Sequence, residues 1–185
     1  MRDFYAWATE TEKDIETAGE DQTIAPISPT TAGMIPVGAS FPASNYATLD
    51  TRNTRPVLDF DATTQETVYF TGTLHSGYAG GGLTIKLWWS ATTAVTGTIG
   101  FDVSIEQVTG LDSDTDSFAA AQTVTAATVP ATSGEVALST VAIADGAAMD
   151  SLAAGDLFRL RIRRDVATDT ATGDAELHMV EVDLQ

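Results

Sequence analysis

Few residues in this chain belong to types that do chemistry, and their spacing limits what that chemistry could be. The two histidines, His75 and His178, stand about a hundred residues apart, and with zero cysteines no third ligand completes a catalytic zinc set. No metal centre is expected. No Gly-x-Ser-x-Gly elbow marks a serine as a nucleophile, and among 26 acidic residues no carboxylate pair stands out for glycoside hydrolysis. Gly80, Gly81 and Gly82 lack the Lys-Ser/Thr that a phosphate loop requires. They read instead as a turn needing positive φ and little bulk. Asp112, Asp114 and Asp116 alternate as a calcium loop opens, yet Ser117 stands where the tight-turn glycine belongs and Thr123 where the bidentate glutamate belongs. That stretch is read as a solvated acidic loop. No catalytic residue and no cofactor is expected, and the chain is not read as an enzyme.

What remains for function is a set of aromatic and cationic side chains, and strands must position them. In Gly77 to Ser90 (GYAGGGLTIKLWWS) a glycine turn runs into a strict alternation. Leu83, Ile85, Leu87 and Trp89 share one face; Thr84, Lys86, Trp88 and Ser90 share the other. Trp88 therefore points outward from an otherwise polar strand face. Similar strands are expected at Val57 to Phe60, Thr67 to Leu74, Thr98 to Val108 and Gly134 to Ala144, the last with a bulge or bend because its apolar parity changes between Leu138 and Val141. Phe118 to Ala127 reads as a small-residue strand or a short helical turn, and Asp145 to Gly155 as a connection with room for one helical turn. Leu157 to Val166 alternates Phe158, Leu160 and Ile162 with Arg159, Arg161 and Arg163. An all-arginine face in an acidic chain requires carboxylates, either on a neighbouring strand or across a subunit boundary. From Glu176 to Leu184 the apolar parity switches, so either both faces are covered or a bulge intervenes.

Composition agrees with strands. The 185 residues include 29 threonines and only two lysines, and about eight strands from Val57 onward fit an all-β, two-sheet antiparallel β-sandwich, in particular a jelly roll. The length suits one domain plus a tail. A formal charge of −17 argues against nucleic acid and anionic membrane as partners. With no apolar span and no signal-like start, synthesis in the cytoplasm is expected.

Residues 1–31 differ in texture from the sandwich domain expected over 32–185. MRDFYAWATE carries Phe4, Tyr5 and Trp7, and an acidic, proline-bearing stretch follows. We read 1–31 as an extended arm whose aromatic cluster must be buried, either against its own domain or against another protein. Asn45 to Arg55 reads as a polar edge strand and connector.

From about Pro56 onward the sequence resembles the jelly-roll-like proteins that decorate or cement the capsids of tailed bacteriophages. The resemblance rests on DFDATTQETVYFTG (59–72), YAGGGLTIKLWWSA with TGTIGFDVSIEQV, DSFAAAQTVTA (116–126), and DGAAMDSLAAGDLFRLRIRRD with TATGDAEL downstream (145–177). It implies a virion structural protein bound to the major capsid protein, with the threefold self-association of a homotrimer. On that reading Phe4, Tyr5 and Trp7 would anchor the arm to the capsid, and Trp88, Arg159, Arg161 and Arg163 would line the subunit interface. The alternative is a receptor- or glycan-binding tail module, for which Trp88 and Tyr78 offer stacking surfaces.

Overall fold

The structure, a computed structural model, describes residues 23–27, 45–108, 110, 112 and 118–185. Ten strands are present among them: β1 Thr23–Ile27, β2 Thr48–Arg52, β3 Arg55–Phe60, β4 Thr67–Thr73, β5 Leu83–Ala91, β6 Thr98–Gln107, β7 Gln122–Thr128, β8 Ala137–Ile143, β9 Leu157–Arg164 and β10 Ala175–Leu184. They form two antiparallel sheets. The larger runs β2-β3-β10-β5-β8, with β1 also on β10; the smaller runs β4-β9-β6-β7. The two sheets pack face to face as the expected β-sandwich of jelly-roll type, with no α-helix among the described residues.

The alternation read from the sequence is what closes the core. Leu83, Ile85, Leu87 and Trp89 of β5 are all fully buried, as are Phe101, Val103 and Ile105 of β6 and Leu160 and Ile162 of β9. Side chains of period two thus fill the space between the sheets from both sides. Phe101 is its aromatic centre: Phe60 meets it edge-on at 5.9 Å and Trp89 tilts against it at 6.2 Å. The buried indole of Trp89 stays satisfied by donating to Ser139 Oγ at 2.9 Å.

The structure differs from the sequence reading at several places, each for a physical reason. β8 pairs with β5 in unbroken register from Leu83↔Ile143 to Trp89↔Ala137, so the expected bulge is absent. The parity change arises because Val136 and Leu138 point outward and are 47% and 44% exposed. In β10 the bulge is real: the register to β5 shifts between Leu177 and Met179. It switches the inward set from Ala175 and Leu177 to Val180 and Val182, all buried. Phe118 to Ala127 gives a strand only from Gln122, and the turn within 145–155 is a single 3-10 turn at Gly146–Met149 that buries Met149. The polar edge strand is found as β2, four of whose five residues are exposed.

β1 lies within the segment read as an arm, yet it pairs with β10 through Thr23↔Asp183, Ile24↔Val182 and Ile27↔Val180. β3 occupies the same side of β10 only at Ala175 to Leu177, which leaves the rest of that edge for β1. Phe4, Tyr5 and Trp7 lie outside the described residues.

Candidate functional site

At the β5 entry end of the sandwich, two turns form an open cleft of about 390 Å³. One wall is the turn that precedes β5. There Tyr78 N–H donates to His75 O at 3.0 Å, and His75 Nδ1 accepts from Gly77 N–H at 2.9 Å, so His75 shapes the turn. Gly80, Gly81 and Gly82 all hold φ near +100°, as their sequence implied. A Cβ on Gly81 would overlap the Gln185 carbonyl and one on Gly82 the Ile143 carbonyl. The other wall is the connection between β8 and β9, carrying Asp145, Gly146, Leu152 and Ala153.

Tyr78 fastens the two walls together. Its hydroxyl accepts from Gly82 N–H at 3.0 Å and donates to Asp145 Oδ1 at 2.7 Å, which uses the phenol as both acceptor and donor. Burial, and then the bond to Asp145, push the Tyr78 hydroxyl above the ordinary phenol range. The bond on Oδ1 leaves Asp145 Oδ2, which lies beside Gly80 on an exposed side chain, as an acceptor. Among the described residues Asp145 is the one charged residue lining the cleft, and Leu152, Ala153 and Ala154 continue the same wall. Such a surface accepts hydrogen bonds from hydroxyl groups, packs small apolar faces and disfavours anions.

Tyr78 is thus a site residue that the sequence singled out, but Asp145 and Leu152 were not. Asp145 was hidden among the 26 acids. Its only local signal is its place before Gly146, in a turn whose contact with Tyr78 spans 67 residues.

Trp88 is placed elsewhere. It sits on the outer face of the larger sheet, opposite Leu138 of β8 and Met179 of β10, half-buried, with its Nε1 buried and lacking a partner among the described residues. Tyr78 contacts the start of β5 at Gly82, six residues earlier, so roughly 20 Å of strand separates the two rings. They do not share one platform.

Two of the three arginines find a carboxylate within the chain. The β6–β9 register sets Arg159 opposite Glu106, Arg161 opposite Ser104 and Arg163 opposite Asp102. Arg159 pairs with fully buried Glu106, Arg163 Nη2 with Asp102 Oδ2 at 2.6 Å, and Arg161 Nη2 donates to Ser104 Oγ at 2.8 Å. Phe118 lies over the row, with its ring centroid 4.6 Å from the Arg161 guanidinium and 5.4 Å from that of Arg159. Of the two sources of negative charge expected for this face, the neighbouring strand supplies it. Burial, and then Arg163, lower the pKa of Arg161.

His178 belongs to a polar chain on the outer face of the larger sheet. Its Nε2 lies 2.8 Å from Ser90 Oγ, Ser90 Oγ donates to Glu176 Oε2 at 2.9 Å, and Arg52 Nη1 donates to the same oxygen at 2.6 Å. Here the acid holds the serine and not the imidazole, the reverse of the order that activates a serine nucleophile. Burial lowers the pKa of His178. Among the described residues no group of His, Asp and Glu is arranged to hold a metal ion; Asp114 and Asp116 lie outside them.

The fold and the cleft define a jelly-roll-type β-sandwich with a loop-end site. No protein-family model and no curated protein matches the sequence. Among solved structures the chain is similar to a family 35 carbohydrate-binding module of Cellvibrio japonicus Abf62, at 9% identity and a TM-score of 0.51, covering 85% of this chain and 90% of that one. It is similar also to a family 35 carbohydrate-binding module from an environmental isolate, at 9% identity and a TM-score of 0.50 over the same shares of the two chains. At that identity the likeness is one of fold.

Proposed function

We propose that this chain is a glycan-binding module whose ligand sits in the cleft between Tyr78 and Asp145. The observation that carries the reading is the pairing of a carboxylate acceptor, Asp145 Oδ2, with two exposed alanines, Ala153 and Ala154, in an open cleft of about 390 Å³. That volume lies within the roughly 300–1,000 Å³ typical of small-molecule sites. A neutral sugar offers both what this surface takes: hydroxyl donors for the carboxylate and C–H faces for the alanines. An anionic ligand would meet Asp145 and a chain of charge −17.

The likeness in fold to two carbohydrate-binding modules supports the same choice. It favours the glycan-binding alternative over capsid decoration, to which the sequence resemblance pointed. The stacking role imagined for Trp88 is not part of it, because Trp88 lies on a different face.

Affinity electrophoresis of the full chain against neutral and acidic polysaccharides tests the proposal. Retardation by a neutral polysaccharide is expected, abolished by Asp145→Ala. Absence of retardation by every polysaccharide, or retardation that Asp145→Ala leaves intact, would overturn the assignment to this cleft. Co-sedimentation with tailed-phage capsids in place of any glycan would return the chain to the capsid-decoration reading.

A further inference from the structure

β7 and β8 are the free edges of the two sheets on the same flank of the sandwich, where they lie against each other. Their sequences, QTVTAAT and ALSTVAI, contain no charged residue, although 19% of the chain is charged. Soluble proteins blunt their sheet edges with charge, proline or a bulge, because an open ladder invites another strand. Elsewhere this chain does so: the opposite edge, β2, carries Asp50 and Arg52, and β4 is flanked at Thr67 by the bridge from Tyr46. β8 has none of these devices. It is straight in register, and its backbone makes no hydrogen bond outside its ladder with β5 among the described residues.

The outward side chains of β8 also form an apolar surface. Leu138 is 44% exposed and stands beside Trp88, which in turn stands beside Met179. Val136 precedes the strand, 47% exposed. This aliphatic and aromatic row continues from the edge onto the sheet face.

We propose that β8 pairs antiparallel with β8 of a second copy of this chain about a twofold axis near Thr140, so that two six-stranded sheets become one. Two chains of charge −17 repel over most of their surface, whereas β8 itself, 137–143, can meet its copy without opposing like charges, the acids Glu135 and Asp145 lying beyond its two ends. An antiparallel strand pair is self-complementary, as a twofold interface requires. Centred on Thr140, the pairing sets Thr140 against its own copy and the large Leu138 against the small Ala142 of the second chain. Exposed Leu138, Thr140 and Ala142 share the outward face, so both contacts form on one side. The arginine face, already paired within the chain, is not needed.

Light scattering across the micromolar range should give twice the 19.4 kDa of the chain, reverting to the single mass in Leu138→Asp and in Thr140→Lys, each still folded by far-UV circular dichroism. Both positions are exposed, so if one variant fails to fold the other still reports. The chain has no cysteine, so Thr140→Cys should cross-link on oxidation into a covalent dimer, while Thr73→Cys, exposed on β4, should not. A monomeric or trimeric wild type, a dimer indifferent to both substitutions, or equal cross-linking at the two cysteines would each overturn the proposal.

Discussion

The hydroxyl of Tyr78 donates to Asp145 Oδ1 across 2.7 Å while accepting from the buried Gly82 N–H, so one phenol both builds the cleft and ties it to the start of β5. These two duties separate by mutation. Tyr78→Phe keeps the ring but leaves Gly82 N–H without its acceptor, a loss of about 1–3 kcal/mol. Asp145→Ala removes an exposed carboxylate and should cost less than about 1 kcal/mol, yet should abolish glycan retention. Urea denaturation beside affinity electrophoresis checks the pair; a larger stability loss for Asp145→Ala would contradict the division of roles.

Arg159 pairs with Glu106, which is fully buried, whereas Lys86 pairs with Glu181 and Asp183 on a partly exposed surface. Removing the cation therefore has different consequences. Arg159→Ala strands a buried carboxylate and is expected to cost about 3–5 kcal/mol. Lys86→Ala should cost little, because solvent screens that pair. Both leave the oligomer mass unchanged if the arginine face serves the single chain. Equal small losses in chemical denaturation, or dissociation by Arg159→Ala at unchanged stability, would place that face at a subunit boundary after all.

The body of the sandwich was legible because period-two alternation survives wherever one face is buried. β5, β6 and β9 could be read residue by residue, down to the opposed parity of Trp88 and Trp89. β8 was read less well. Exposed Leu138 and Val136 carry the same letters as core residues, and only the register with β5 shows which way they point. The arginine row was seen, but its partners sit about 55–60 residues away on β6, a pairing that strand order decides and local sequence does not. The cleft was half legible. A tyrosine beside three glycines stands out, while Asp145 is one carboxylate among 26 until the fold brings it to Tyr78.

Asp59 faces outward beside Glu176 in the β3–β10 register, with its Oδ1 buried and without a partner among the described residues. Burial, with Asp174, Glu176, Asp50 and Glu66 nearby, raises its pKa to about 6. Asp59 thus holds its proton more tightly folded than unfolded. The stability it contributes is full below the ordinary value of 3.8 and is lost as pH rises through about 6. His178 acts oppositely, since its lowered pKa favours the neutral ring and loses stability as pH falls. The difference between wild type and Asp59→Asn isolates the carboxylate. The variant should be more stable at pH 7 by about 1–2 kcal/mol after allowance for solvent screening, with the gain fading by pH 4. A pH-independent difference in melting temperature would show that Asp59 is not the titrating group.

Arg164 is the one arginine of β9 on the inward parity, following Phe158, Leu160 and Ile162, and it is completely buried. It pairs through Nε with Asp169 and donates to Phe60 O at 2.9 Å and Gly173 O at 3.0 Å. The guanidinium fork thereby joins the end of β3 to the loop between β9 and β10. Arg164→Leu would leave Asp169 Oδ2 without its cation, while Oδ1 keeps the Gly100 N–H, and would take a donor from two buried carbonyls, so a loss of about 3–5 kcal/mol is expected. Arg164→Lys keeps the charge but loses the planar fork, and should fall between Arg164→Leu and wild type. Replacing both partners, as Arg164→Leu with Asp169→Leu, removes the stranded carboxylate and should recover part of the loss even though Gly100 N–H then loses its acceptor, so the two single effects sum to more than the double. Strict additivity in urea denaturation would mean that Arg164 acts through its carbonyl contacts alone, and that the Asp169 pair contributes nothing to holding the loop against the sandwich.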